Sequence, residues 1–121
     1  MKRRLNKRRT SANDLYDHYT VREKLIKYQN GFYLTDGINE IGFYENCFWL
    51  IDIICYHKIN FDIEIWKFSR EKGNIFLLIG TNELDFKFVE FQNLESDFYF
   101  DDLIIVKKRN LLCLPIEVDI Y

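Results

Sequence analysis

The spacing of apolar residues changes twice along this chain, and the changes divide it into an arm, a helical half and a stranded half. Residues 1–10 have no hydrophobic period, with Leu5 set among charges, and are predicted to be a flexible arm. From Ser11 onward, Leu15, Tyr16, Tyr19, Leu25 and Ile26 recur at helical spacing. Ser11-Ala-Asn-Asp14 and Thr20-Val-Arg-Glu23 each have the form of a capping box, a hydroxyl followed three residues on by a carboxylate. One helix or two short ones are therefore predicted between about residues 13 and 28, ending at Asn30-Gly31. Phe32-Tyr33-Leu34 reads as an extended link. Asp36 is predicted to cap the next helix, with Ile38 and Ile41 on its buried side and Gly42 or Glu45-Asn46 breaking or bending it. Residues 47–56 are apolar almost all round, with Asp52 the one charge, which predicts a central helix packed on a sheet. Trp49 is expected to be buried against the strand holding Trp66, and Asp52 to need a hydrogen-bonding or cationic partner as a structural anchor.

From Asn60 the period becomes two. Phe61, Ile63 and Ile65 alternate with Asp62 and Glu64, the pattern of a half-buried strand. The apolar positions then shift by one to Trp66 and Phe68, which predicts a bulge or burial on both faces. Glu71-Lys-Gly-Asn74 reads as a hairpin turn, residues 75–79 as a central strand, Gly80-Thr-Asn-Glu83 as a second turn, and Phe86, Phe88, Val89 and Phe91 as a third strand. Residues 103–106 and 111–114 form a last predicted hairpin, with Lys107-Lys108-Arg109-Asn110 at its tip and Pro115 as its stop. Helices first and then strands on short turns predict an α+β fold: N-terminal helices packed on an antiparallel meander of four or five strands.

Composition fits that picture. A chain of 121 residues suits one domain, spanning residues 11–121 behind the arm. Aromatic residues at 17%, with one proline and five glycines, argue against disorder and supply more ring surface than a core of this size needs. Charge is divided unevenly. Residues 1–9 hold six cations and no anion, whereas the other 112 residues carry eleven cations against nineteen anions. A basic arm on an acidic body is the clearest asymmetry in the chain. No secretory signal pattern opens the sequence, and no apolar run approaches the roughly 20 residues of a membrane span. Three cysteines cannot all pair, so a reducing compartment, the cytoplasm, is expected.

The chemistry of catalysis is hard to find. The five glycines form no phosphate-cradling loop, and the two histidines, His18 and His57, belong to no metal-binding motif. Cys47 and Cys55 would stand roughly 12 Å apart on a helix, too far to share one zinc ion. Cys55 or Cys113 with His57 as a nucleophile pair, and Asp97 with Asp101-Asp102 as a magnesium site, are weaker than their readings as buried thiols and a solvated face. No enzyme, no metal and no cofactor are expected. The binding candidates are cationic: Lys2, Arg3, Arg4, Lys7, Arg8 and Arg9 in the arm, Arg22 and Lys24 beyond it, and Lys107, Lys108 and Arg109 at the hairpin tip. Such residues contact nucleic-acid phosphates without reading sequence, or an acidic protein face. Phe43-Tyr44 and Phe98-Tyr99-Phe100 are candidate docking aromatics.

Four segments together carry a resemblance: Thr35-Asp36-Gly37, Phe48-Trp49-Leu50-Ile51-Asp52, Trp66-Lys67-Phe68 and Leu111-Leu112-Cys113-Leu114-Pro115-Ile116-Glu117. Over about residues 20–117 the chain resembles a family of small uncharacterised bacterial proteins encoded on conjugative elements, plasmids and phages. It departs from that pattern at Ile116, where serine is usual, and the arm lies outside it. The resemblance implies structural motif residues and a mobile-element accessory protein. Small, non-enzymatic proteins of this context frequently act by binding a host machine. The first expectation is thus an anti-CRISPR inhibitor that binds an RNA-guided effector nuclease or its guide RNA complex in the bacterial cytoplasm. The alternative is an accessory or regulatory protein that binds RNA or DNA through the arm.

Overall fold

The structure, a computed structural model, describes residues 11–57, 62–70, 75–81, 86–92 and 100–121. The predicted arm with Lys2, Arg3, Arg4, Lys7, Arg8 and Arg9, the turn at 71–74, the second half of the turn at 80–83, Asp97 and Phe98-Tyr99 lie outside these residues.

Serine and threonine caps decide where the helices begin. Ser11 accepts the Asn13 amide and starts α1, Ala12–Leu15. Thr35, not Asp36, caps α2, Asp36–Tyr44, by accepting the Ile38 amide at 3.3 Å. After α2 the backbone turns through Asn46, at φ 51°, into α3, Phe48–Tyr56. The Phe48 ring lies so close over Gly42 that a Cβ there would sit 2.7 Å from it. Gly42 thus lets the two helices meet rather than breaking α2.

The long N-terminal helix is not formed; α1 is a single turn. Tyr16 and Tyr19 are both buried, and their hydroxyls donate to Glu45 at 2.7 Å and Glu40 at 2.6 Å. Those anchors pull the chain along α2, and an isolated helix of this length gains too little to resist them. Thr20 caps no helix: residues 20–28 hold no α-helical turn, and Val21 is left exposed. Asn30-Gly31 marks a hairpin turn instead of a helix end. Strands β1, Ile26–Lys27, and β2, Tyr33–Leu34, pair antiparallel around it, with Asn30 and Gly31 both at positive φ.

The remaining strands are β3, Ile63–Arg70; β4, Ile75–Thr81; β5, Phe86–Gln92; β6, Asp102–Lys108; and β7, Leu111–Cys113. Among the described residues they form a seven-stranded sheet in the order β1-β2-β7-β6-β3-β4-β5. All neighbours are antiparallel except β2 and β7. The fold is α+β with a mostly antiparallel sheet. Its meander is β3-β4-β5, after which β6 returns to the other side of β3. Where β7 runs out, the Asn13 side chain completes the edge of β6. It accepts the Ile104 N–H at 2.6 Å and donates to the Ile104 carbonyl at 2.9 Å, as a neighbouring strand would.

The sheet buries the opposite face of β3 from the one its isoleucines predict. Glu64, Trp66 and Phe68 point into the core, whereas Ile63 and Ile65 are 51% and 45% exposed. There is no bulge, since the register with β6 is continuous over Ile63–Ser69. Alternation lets only one set point inward, and a Trp and a Phe bury more apolar area than two isoleucines. Trp66 fits because Gly80 faces it on β4; a Cβ at Gly80 would stand 2.7 Å from the indole. Over this face α3 lays Leu50, Ile51, Ile54 and Cys55. Trp49 is only half-buried rather than buried, because α3 turns Leu50, Ile51, Ile54 and Cys55 inward; it meets Phe68 edge-on, 5.7 Å between centroids. Asp52 finds its anchor in the Tyr28 hydroxyl and the Gln29 amide, which both donate to it.

The helical layer is locked to the sheet by Glu117, which is 1% exposed. Its carboxylate accepts the Thr35 hydroxyl at 2.5 Å and the Leu114 amide at 2.9 Å on one oxygen, and the Gly37 amide at 3.2 Å on the other. Glu117→Ala leaves buried donors without acceptors, each worth about 1–3 kcal/mol. The expected result is a loss of about 3 kcal/mol, seen as a fall in Tm of roughly 10 °C. A melt unchanged by the substitution would show that the clasp does not hold α2.

Candidate functional site

The cations proposed for binding are split by the fold. Arg22 and Lys24 are exposed, and the Arg22 guanidinium lies 5.4 Å from the Tyr121 ring centroid. Arg109 stands in the tight turn between β6 and β7 at φ 56°, exposed and 4.0 Å from Asp62. Lys107 and Lys108 are not at that tip, and this corrects their placement. Lys107 is 7% exposed in β6, on the same inward face as Glu64, with its ammonium 3.4 Å from that carboxylate and 5.2 Å from the Phe32 ring centroid. The Trp66 indole N–H donates to the same Glu64 oxygen at 2.9 Å. Lys108 donates to the Val118 and Tyr121 carbonyls at 2.8 and 2.6 Å. Two of the three hairpin cations therefore hold the fold together. Their partners are distant in sequence, and only the β3–β6 register brings Glu64 opposite Lys107.

The thiols are buried, and none is in a disulfide. Burial, with Glu45 nearby, pushes Cys47 up to about 12. Burial raises Cys55 to about 11, with Asp52 adding to the rise and Lys107 opposing it. Cys113 rises to about 12 through burial and Glu117, against Lys108. Cys55 lines an open groove at the end of α3 together with Asn30, Phe32, Tyr56 and His57. Asp101 faces Arg70 at 4.0 Å. Among the described residues no three His, Cys, Asp or Glu side chains gather as a metal site.

The outer side of α2 has a different character. Asp36, Glu40 and Tyr44 follow one another at i, i+4, with Asn39 and Phe43 in the adjacent row. Phe43 and Tyr44 are 71% and 63% exposed and rest edge-on against each other, 5.2 Å between centroids. The acidic end of the row continues into a cleft of about 310 Å³ lined by His18, Tyr19, Thr20, Val21, Glu23, Asp36 and Glu40. Partial burial, reinforced by the charges of Glu40 and Glu23, raises the Asp36 carboxyl above its ordinary value. Among the described residues no Lys or Arg pairs with Asp36, Glu40 or Glu23. Sequence reading singled out Phe43-Tyr44, but not the carboxylates beside them, because Glu23 joins the cleft only through the irregular chain between α1 and β1.

The four motif segments meet in space. Thr35 and Gly37 meet Leu114 and Glu117, and a Cβ on Gly37 would come within 2.8 Å of Leu114 and 2.9 Å of the Glu117 carboxylate. Trp49 meets Phe68, and Thr35 donates its amide to the Leu112 carbonyl. This defines an α+β domain whose signature residues form its frame. The chain belongs to DUF6876, a family of unknown function, which matches residues 10–118. No curated protein and no solved structure matches it. Among the described residues no helix is long and apolar enough to cross a membrane.

The raised thiols make a pH prediction. Unfolded cysteines release protons near 9.0, before the folded ones do, so folded stability is intact below that pH and falls as pH climbs towards 11–12. The expected slope is at most about 1.4 kcal/mol per pH unit per thiol. Cys47→Ser/Cys55→Ser/Cys113→Ser should flatten it, and native protein at pH 8 should resist a thiol reagent until denaturant is added. Rapid labelling of native Cys55 would overturn this account.

Proposed function

We propose that this protein is a non-enzymatic binding protein, and that it inhibits bacterial immunity by engaging an RNA-guided effector nuclease or its guide complex. The observation that supports the reading is the division of labour in the chain. Its signature residues are consumed by the Glu117 clasp and the Trp66 core, while large aromatics stand exposed at the ends of helices, Phe43 and Tyr44 on α2 and Tyr56 on α3. Exposed rings on rigid elements are the usual anchors of protein interfaces. The resemblance to proteins of mobile elements supplies the biological setting, in which blocking a host nuclease is a common task.

A second reading is favoured by the concentration of six cations in residues 1–9: the arm binds RNA or DNA directly. One set of experiments separates the two. Purified protein is added to guide-loaded nucleases cleaving a matched target, and its binding to free RNA and DNA is followed across salt concentrations. The inhibitor reading expects cleavage to stop at near-stoichiometric protein. It falls if no nuclease is slowed and no targeted phage or plasmid is protected. The nucleic-acid reading expects affinity that drops steeply with salt and vanishes on deleting residues 1–9.

A further inference from the structure

We infer that the outer face of α2 is the docking surface, and that it takes an arginine-rich protein surface. The inference rests on the binding-protein reading and adds where the contact is made and with what chemistry. Apart from the Tyr19 hydroxyl, which donates to Glu40 at 2.6 Å, no side chain among the described residues bonds to the charged end of this face, and it offers two kinds of contact within one helix. Asp36 and Glu40, with Glu23 across the cleft, present carboxylates that no neighbouring cation neutralises. One turn on, Phe43 and Tyr44 present ring surface at 71% and 63% exposure. Arginine suits both: its guanidinium fork matches a carboxylate, and its flat face stacks on an aromatic ring. Lysine satisfies only the first contact as well. Val21, 68% exposed, borders the cleft and extends the apolar part of the surface. The crowding that lifts the Asp36 carboxyl would be relieved by an arriving cation. The body of the chain, with nineteen anions against eleven cations beyond the arm, steers such a partner inward. Surfaces rich in arginine are those that proteins use to hold nucleic acid, and a nuclease channel is one of them.

The test uses isotope-labelled full-length protein titrated with a nona-arginine peptide and, in parallel, a nona-lysine peptide. The expected shifts centre on Asp36, Glu40, Phe43 and Tyr44, with nona-arginine binding the tighter. Phe43→Ala/Tyr44→Ala and Asp36→Asn/Glu40→Gln should each weaken nona-arginine about tenfold, the second also lowering the salt dependence. Phe43 and Tyr44 are exposed, a glutamine at 40 can still accept the Tyr19 hydroxyl, and unchanged melting of the variants confirms that the fold is kept; Tyr44→Phe should retain binding. Shifts spread evenly over the acidic surface, or variants that bind like the parent, overturn the inference. So does a dimer in solution that Phe43→Ala abolishes, which assigns the face to a second copy. A gain of peptide affinity on deleting residues 1–9 assigns it to the protein's own arm and overturns it equally. The two readings separate cleanly: α2 variants that still stop a nuclease sink the docking surface alone, whereas peptide docking at α2 without nuclease inhibition sinks the inhibitor alone.

Discussion

Glu117 sits where the first turn of α2 has amides that no helical carbonyl can reach, and it supplies the acceptor from the far end of the chain. The Gly37 amide is one of these orphans, and the Thr35 side chain serves the Ile38 amide while donating its own hydroxyl to Glu117. A carboxylate at a helix N-terminus also meets the positive end of the helix dipole. Because the same carboxylate accepts the Leu114 amide, it ties α2 to the segment that leaves β7. Thr35 in turn continues the parallel pairing of β2 with β7 by donating to Leu112. The position of α2 depends on this clasp, and α3 depends on α2 through Gly42 and Phe48. Glycine at 37 is required for a plain steric reason: the carboxylate and Leu114 occupy the space a side chain would need.

Glu64, Lys107 and Trp66 are the second constraint. A charged pair in a core is stable only when both charges are matched, and losing one partner is far worse than losing both. Here the carboxylate takes the ammonium and the indole N–H together, and the ammonium also faces the Phe32 ring. These contacts exist in one register of β3 against β6 only. A slip by one residue would put Glu64 outside and Ile63 and Ile65 inside, so the buried polar group specifies the face of the sheet that apolar alternation alone leaves ambiguous. The consequence on the surface is that Ile63 and Ile65 stay exposed on the face away from α3.

Function is then left to what the frame does not use. Lys107, Lys108, Asp52 and Glu117 are polar residues occupied by the interior, and the three cysteines are held protonated by it. The outer face of α2 stands apart in combining unneutralised carboxylates with exposed rings on a rigid element. A surface of that kind gains affinity from a partner without reorganising itself.

The hydrophobic pattern by itself determined the α+β class, the existence of α2, the extent of α3 to within a residue, the strands from β3 to β7 and the need of Asp52 for a partner. Each rests on local periodicity, or on the cost of burying one charge, and neither depends on what lies elsewhere in the chain. Tertiary structure decided the rest. The helix read after Ser11 collapsed to one turn because Tyr16 and Tyr19 are claimed by Glu45 and Glu40, 29 and 21 residues away. Asn30-Gly31 became a hairpin because β2 found an edge on β7, a strand 78 positions later at Leu34 and Leu112. Glu64 and Lys107, separated by 43 positions, look like surface charges until β3 and β6 are paired. Periodicity records whether a residue has an inner face to join, and only the assembled sheet says which partner waits there.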